Sequence, residues 1–304
     1  MFESVLFSAG LALILAGTAS FIYPMRWLRI RTRGIAVAVL AIGFLLVALA
    51  AEMIDSYLVY FGFTLFFAGL LSLMRPLRFL WISNRWKGLA VGGVGILLAL
   101  GTLSLPYTRK EATTHATKLD AWMPQWQVDE RHILHVAAAP DKVFAAIHAV
   151  RADEIFLFRV LTAIRRCGGT GPESIMNAPE KEPLLDVATR TTFVLLEEEA
   201  PRELVVGTVI AAPREARASA KLVRELFRKT LQPGVVLATM NFVVLPDNNG
   251  GSSVSTETRI YANSPAALHR FGVYWRIIHP GSDLIRRMWL RAIRQRAERQ
   301  NAPE

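Results

Sequence analysis

Four long stretches in the first third of the chain contain no charged side chain. They cover residues 4–25, 34–51, 56–74 and 88–107, so their lengths are 22, 18, 19 and 20 residues. A helix needs about 20 mostly apolar residues to cross the hydrocarbon core of a bilayer. The pattern therefore predicts an all-α region of four transmembrane helices, a membrane anchor, in residues 1–107.

The loops between these runs differ in charge, which predicts the orientation of the helices. Residues 26–33 carry four arginines and residues 75–87 carry three arginines and a lysine, whereas the middle connection has only Glu52 and Asp55. Lys and Arg accumulate in cytoplasmic loops. The first and third loops are therefore predicted to be cytoplasmic, and everything after residue 107 is predicted to be extracytoplasmic.

The charge of the chain is positive, but its distribution favours a membrane over nucleic acid. The formal net charge is +10, from 35 Lys and Arg against 25 Asp and Glu. Several of the arginines stand between apolar runs, where membrane topology accounts for them, so no nucleic-acid partner is expected. Ionisable residues are absent from the four runs, so the membrane region is predicted to be an anchor and not a transport path.

The residues that usually hold metals do not form a recognisable pattern. Cys167 is the only cysteine, which excludes an intramolecular disulfide and a cysteine-based zinc site. His132 and His135 are three residues apart on a predicted strand, so they lie on opposite faces and cannot act together as ligands. Neither a metal nor a cofactor is expected, and no motif marks a catalytic residue.

After residue 107 the composition becomes polar. Residues 108–129 lack periodicity and are predicted to be a linker, and residues 130–304 have the size of one domain. A strand at 130–137 and a helix opening at Pro140 come first. Two β-rich pairs follow, at 190–198 with 203–211 and at 235–245 with 253–262. The second pair is joined by a Pro-Asp-Asn-Asn-Gly-Gly turn, which is typical of a hairpin.

The chain ends in a long amphipathic helix. Ser264 is a good N-cap and Pro265 suits the first turn. Pro280 and Gly281 are expected to kink or break the helix, with Ser282 capping its restart. The face opposite the apolar stripe is predicted to carry the arginines Arg286, Arg287, Arg291, Arg294, Arg296 and Arg299.

Several segments of this second half resemble one superfamily. Residues 133–150, with Ala-Ala-Ala-Pro-Asp-Lys-Val-Phe, look like the opening of the START-like superfamily, also called SRPBCC or Bet v 1-like. The run Ser-Thr-Glu-Thr-Arg-Ile at 255–260 and the helix at 271–290 are similar to a bacterial branch of it. The resemblance implies an α+β helix-grip domain, a curved antiparallel sheet around the long C-terminal helix. The four apolar runs depart from the soluble form that is usual in the superfamily, and with the bacterial branch they predict a location in a bacterial inner membrane.

In a helix-grip fold the space between sheet and helix is the expected ligand site. By the two-residue period of strands, Phe242 shares a face with its neighbours two residues away, and Glu257 and Arg259 share a face of the next strand. Which face lines the cavity stays open. The candidate ligand-binding residues are Phe242, Glu257, Arg259, Phe271, Tyr274 and Trp275.

Three hypotheses for function follow. The first is a membrane-anchored carrier or sensor that binds a lipid or another hydrophobic small molecule and contacts membrane lipids. The second is a cyclase- or aromatase-like enzyme acting on a polyketide, with Glu257, Arg259 and Tyr274 orienting and protonating the substrate. The third is a protein-interaction module of a membrane complex, which an exposed apolar patch would favour. Because no catalytic motif is present, the binding role is preferred over the enzyme.

Overall fold

The computed structural model describes most of the chain. It covers residues 2–22, 30, 32–50, 54–77, 80, 82–169, 172–212, 224, 227–228, 233–248 and 250–299. Most of the first arginine-rich loop, at residues 26–29 and 31, lies outside this range. The chain divides into two compact units. Unit 1 comprises Met1–Leu105 and Val273–Pro280, and unit 2 comprises Pro106–Gly272 and Gly281–Glu304.

Unit 1 contains the four predicted helices. They are α1 (Phe2–Ile22), α2 (Arg33–Ala50), α3 (Ile54–Met74) and α4 (Arg85–Leu103), and α1 packs with α2 as α3 packs with α4. Within the described residues, α3 and α4 are long and apolar enough to cross a membrane. The apolar parts described for α1 and α2, Ala9–Phe21 and Arg33–Val47, are shorter. By this criterion there are two candidate spans, where four were expected.

Glycines let α3 and α4 approach each other closely. A Cβ atom added at Gly69 would lie 2.4 Å from the backbone nitrogen of Gly92, and one at Gly62 would lie 2.7 Å from that of Ala99. Small residues at such crossings allow backbones to meet, which is the usual basis of helix association in a bilayer. The two glycines therefore account for the tight pairing of the two candidate spans.

Unit 2 is an α+β domain. Its helices are α5 (Lys118–Trp122), α6 (Pro140–Ala149), α7 (Phe158–Arg165), α8 (Leu184–Thr191) and most of α9 (Pro265–Arg299). Two short strands, β1 (Lys110–Glu111) and β2 (Gln125–Trp126), pair with each other. The main strands are β3 (Val128–Val136), β4 (Val194–Glu199), β5 (Glu203–Ala211), β6 (Val236–Pro246) and β7 (Ser252–Ala262). They form an antiparallel sheet in the order β3-β7-β6-β5-β4.

The main core lies on one face of this sheet. Phe242 and Met240 of β6 and Leu204 of β5 point to the same side and join a buried cluster with Ile147 of α6 and Ile293 of α9. Alternate residues of the same strands point to the other side, where a second, smaller cluster includes Val205 and Leu119. Elements thus cover both faces of the sheet. We call the sheet face toward α9 the helix-facing side and the sheet face toward α5 the outer side.

Three local expectations differ from the structure. Residues 108–129, expected to be a linker, contain β1, α5 and β2. Side chains of the sheet hold α5 on the outer side, as described in the next subsection. Helix α8 continues to Thr191 and β4 begins at Val194, where a strand was expected from residue 190. Helix α9 runs without a break through Pro280. Proline removes the backbone donor for the carbonyl four residues before it, and the helix tolerates that single loss.

Candidate functional site

Charged residues occupy one part of the helix-facing side. Strand β3 directs Glu130 and His132 toward α9, where both come close to Asp283. In the sheet, Glu130 stands opposite Thr258 and His132 stands opposite Thr256. Glu130, His132 and Asp283 are all buried. The alternation of β3 and the rotation of α9 therefore bring three titratable groups together in the interior of unit 2.

The ring nitrogen Nε2 of His132 is the centre of this cluster. It lies 2.9 Å from Oε1 of Glu130 and 3.4 Å from Oδ1 of Asp283. The three atoms that could serve as metal ligands all lie within 4.8 Å of one another. Two carboxylates and one imidazole in this arrangement can share protons or hold a cation.

The second oxygen of each carboxylate is held by its own donor. The hydroxyl of Ser282 donates to Oε2 of Glu130 at 3.0 Å, and Nε of Arg287 donates to Oδ2 of Asp283 at 2.9 Å. Burial raises the pKa of the Asp283 carboxyl, while Arg287 and His132 act in the opposite direction. These contacts fix the orientation of both carboxylates toward His132.

Arg286 directs its side chain into the helix-facing core. Its guanidinium lies 5.7 Å from the centroid of the Trp289 ring and donates to the sulfur of Met240. Burial lowers the pKa of the Arg286 guanidinium, although Glu130 opposes the shift. Among the described residues, no carboxylate oxygen lies within 4 Å of the Arg286 guanidinium nitrogens. From the sequence, Arg286 was expected with the other arginines on the helix face opposite the apolar stripe. That prediction was wrong for Arg286.

Two further polar groups in this region lack partners. The indole Nε1 of Trp289 and the hydroxyl of Thr256 are buried and make no hydrogen bond within the described structure. Trp289 packs edge-on against Phe242, with ring centroids 5.1 Å apart, and Phe242 stands opposite Thr256 in the sheet. Buried polar groups are nearly always hydrogen-bonded, so these two groups are available to a water molecule or to another ligand.

The six residues proposed from the sequence do not form one group. Phe242 lies in the helix-facing core with Trp289, and Phe271 is buried in unit 2. Glu257 and Arg259 point to the outer side, since they stand opposite Asn241 and Thr239.

The other two candidates, Tyr274 and Trp275, belong to unit 1, as does Arg276, which follows them. Trp275 stacks on His279 there, with ring centroids 4.7 Å apart. The six candidates are thus assigned to two units, four to unit 2 and two to unit 1. Tyr274 is therefore assigned to a different unit from Glu257 and Arg259, with which it was grouped in the enzyme hypothesis.

On the outer side, Arg259 uses every part of its guanidinium. Its Nε lies 2.5 Å from Glu257, its Nη2 lies 2.8 Å from Asp120, and its Nη1 donates to the carbonyl of Met123 at 3.2 Å. The group also stacks 3.8 Å from the centroid of the Trp126 ring. Arg259 therefore attaches the segment around α5 to the sheet, which is a structural role.

Glu203 and Asp120 complete the attachment of α5. Glu203 accepts from the backbone nitrogens of Lys118 and Leu119, at 2.8 Å and 3.3 Å, so it caps the helix from the sheet. Burial raises the pKa of the Asp120 carboxyl, but hydrogen bonds from Thr117 and Arg259 outweigh burial and hold that pKa below its ordinary value. The pair of Asp120 and Arg259 is thus an ion pair at neutral pH.

Sequence reasoning missed Glu130, Asp283 and Arg286, and it considered His132 only with His135. A signal was nevertheless present. Glu130 and His132 are two residues apart on a strand, so they share a face, and a carboxylate and an imidazole on one face deserve to be considered together. Asp283 could not be found in this way, because only the packing of α9 brings it to β3.

Comparisons with models of known protein families and with curated protein sequences gave no match for this chain.

Proposed function

We propose that this protein binds a lipid or another hydrophobic small molecule with an anionic head group, held between the helix-facing side of the sheet and α9. The observation that carries the proposal is a pair of donors beside an apolar core that lack an oxygen acceptor among the described residues. Arg286 has no carboxylate partner among the described residues, and Nε1 of Trp289 has no acceptor there. Arg286 contacts Met240 and Trp289 packs against Phe242, so a hydrocarbon chain bound beside these donors would meet apolar side chains.

Energetics support an anionic group at this position. Burial of a charge without a partner is costly, and so is a buried N–H without an acceptor. Phosphate or carboxylate oxygens would satisfy both, and a guanidinium binds either group with two parallel hydrogen bonds. The ligand would therefore offset a cost that the protein alone leaves in place.

The membrane region gives this binding domain its location. We propose that α1–α4 form a four-helix membrane anchor, as the four uncharged runs indicate. Of these helices, α3 and α4 are long and apolar enough to cross a membrane. By loop charge, the cytoplasmic membrane of a bacterium with unit 2 on its outer side is the proposed location. The resemblance of residues 133–150 and 255–260 to the START-like superfamily supports a helix-grip domain as the ligand-binding part.

The test uses untagged full-length protein extracted gently from its own membrane. Native mass spectrometry is expected to show one additional mass in the lipid range, released on denaturation. We expect the mass to be lost or strongly reduced in Arg286→Met and kept in Arg291→Met, a matched control because Arg291 is exposed on the same helix. An empty wild-type protein, or equal occupancy in both variants, would overturn the proposal.

A second candidate function is an interaction module, which one feature of α7 favours. Val160 and Ile164 lie one turn apart on α7, Phe156 lies two residues before the helix begins, and the three are exposed at 54%, 68% and 68%. Exposed Arg165 adds positive charge beside them. Apolar and basic residues together are typical of surfaces that rest on anionic bilayers.

A lipid-transfer assay with liposomes distinguishes a surface for lipid exchange from a surface that binds another protein. If it serves lipid exchange, protein in detergent-free nanodiscs will transfer fluorescent lipid to anionic vesicles, and Val160→Asp with Ile164→Asp will slow the transfer. If it serves a protein complex, the double variant will transfer lipid like the wild type but will lose a stoichiometric partner seen on mild purification. Lys142→Asp is a suitable control, since it makes an acidic change on another helix, α6.

A further inference from the structure

We propose that Glu130, His132 and Asp283 bind one divalent first-row transition-metal ion. The ligand atoms are Oε1 of Glu130, Nε2 of His132 and Oδ1 of Asp283. Two of the ligands come from β3 and the third comes from α9, so the ion would join the sheet to the helix. The proposal does not rest on the lipid-binding function, because the metal can be measured on the protein itself.

The distances fit a metal ion. Bonds from zinc to histidine nitrogen and carboxylate oxygen are about 2.0–2.2 Å long, so neighbouring ligand atoms lie about 2.9–3.5 Å apart in octahedral or tetrahedral geometry. The separations from Nε2 of His132 are 2.9 Å to Glu130 and 3.4 Å to Asp283. All three atoms lie within 4.8 Å of one another, so the two carboxylates can approach a shared ion by rotation of their side chains.

The orientation of the carboxylates also points to an ion. A single Nε2 nitrogen faces oxygens from two carboxylates, and one N–H can make only one well-directed hydrogen bond. The remaining oxygens are occupied by Ser282 and Arg287, at 3.0 Å and 2.9 Å. Metal-binding carboxylates are commonly held in this way by outer hydrogen bonds, which aim the other oxygen at the ion.

An independent observation indicates a further ligand at the site. Thr256 stands directly opposite His132 in the sheet, and its hydroxyl is buried without a hydrogen-bond partner in the described structure. Three protein ligands leave at least one coordination position for water or another oxygen donor. Such a molecule beside His132 would give the Thr256 hydroxyl its missing partner.

The ligand set limits the class of metal. One imidazole with two carboxylates suits Mn²⁺, Fe²⁺, Co²⁺ or Zn²⁺. Calcium takes six to eight oxygen ligands, which this group does not supply. A divalent ion would also bring positive charge to the two buried carboxylates, of which Asp283 already pairs with Arg287.

The experiment uses untagged full-length protein that has been treated with a chelator and dialysed. Titration with Co²⁺ is expected to give one equivalent of binding and a visible absorption band. His132→Asn and Asp283→Asn should abolish this step, and Arg287→Met should weaken the affinity by about 10–100-fold. His135→Asn is the matched control, because His135 is an exposed histidine on the same strand and pairs with Asp247. This variant should bind Co²⁺ as the wild type does.

A second measurement covers the case in which a ligand variant fails to fold. Wild-type protein loaded with Mn²⁺ should show coupling of the electron spin to one imidazole nitrogen in pulsed EPR spectra. Absence of that coupling, absence of stoichiometric Co²⁺ binding, or wild-type affinity in a folded His132→Asn variant would each overturn the proposal. In the last two cases the three residues form a proton-sharing network that contains no metal.

Discussion

Arg259→Met tests the role assigned to the outer side of the sheet. In the wild type, Arg259 and Asp120 are 7% and 6% exposed and are separated by 2.8 Å. The substitution keeps an unbranched apolar side chain but leaves Asp120, Glu257 and the carbonyl of Met123 without their shared cation. Removal of one partner from a buried ion pair costs about 3–5 kcal/mol. Thr117 still donates to Asp120, so the lower end of this range is expected.

The assay is urea unfolding of full-length protein in mild detergent, followed by the fluorescence of the tryptophans near α5. With an m value of about 2 kcal/mol per molar urea, a loss of about 3 kcal/mol lowers the midpoint by about 1.5 M. Arg270→Met is the control, since Arg270 is exposed and its side chain, among the described residues, donates only to a carbonyl of its own helix. Its midpoint should stay within about 0.3 M of the wild type, because such surface changes cost at most about 0.5 kcal/mol.

The double variant Arg259→Met with Asp120→Asn makes the reasoning refutable. Once the carboxylate is neutral, loss of the arginine no longer leaves a buried charge, so the double variant should lose at least about 1 kcal/mol less than the sum of the single variants. Strictly additive losses, or a loss below about 1 kcal/mol in Arg259→Met alone, would show that the ion pair does not hold α5 on the sheet.

Three further predictions concern other parts of the chain. Below about pH 4, the ordinary aspartate pKa, wild-type stability should fall as the pH drops through the lower folded pKa of Asp120, and urea midpoints of Asp120→Asn should lack this part of the acid dependence. Gly69→Ala should reduce the monodisperse yield in detergent, because the Cβ would lie 2.4 Å from the nitrogen of Gly92, whereas Gly93→Ala has nothing within 4 Å and should be neutral. Arg276→Met should lower the free energy of unfolding of unit 1 by about 1.5–3 kcal/mol, because it removes a 2.9 Å hydrogen bond from Nε of Arg276 to the carboxylate of Asp55 in α3. Thermal melts measure this loss.

Local signals in the sequence predicted much of the secondary structure. The start of α9 agrees with the expected cap, since the Ser264 hydroxyl accepts from the nitrogen of Ala267 at 3.3 Å. Strands β6 and β7 agree with the expected hairpin to within one residue at each end. Both features depend on residues that are close in the chain, such as a capping hydroxyl or a turn of Pro, Asp, Asn and Gly. Patterns of this kind are visible without knowledge of the fold.

Features that depend on distant residues were not predictable in this way. Helix α5 has only five residues, and what holds it is Glu203 and Arg259 from the sheet. The charged cluster needs the register of β3 and the rotation of α9 at the same time, and neither follows from periodicity. Ser282 was expected to restart a broken helix, but its hydroxyl donates to Glu130.

Each side of the sheet holds an arginine, Arg259 buried and Arg286 half-buried, and the partners of the two arginines differ. Arg259 on the outer side has two carboxylates, a carbonyl and an aromatic ring as partners, so nothing is left for another molecule. Arg286 on the helix-facing side has a thioether and a ring, and Trp289 beside it has an N–H without an acceptor. Since buried donors are nearly always hydrogen-bonded, these are the donors that a bound molecule would use. The sequence left open which face of β6 and β7 lines the site, and the partners of these two arginines favour the face of Phe242.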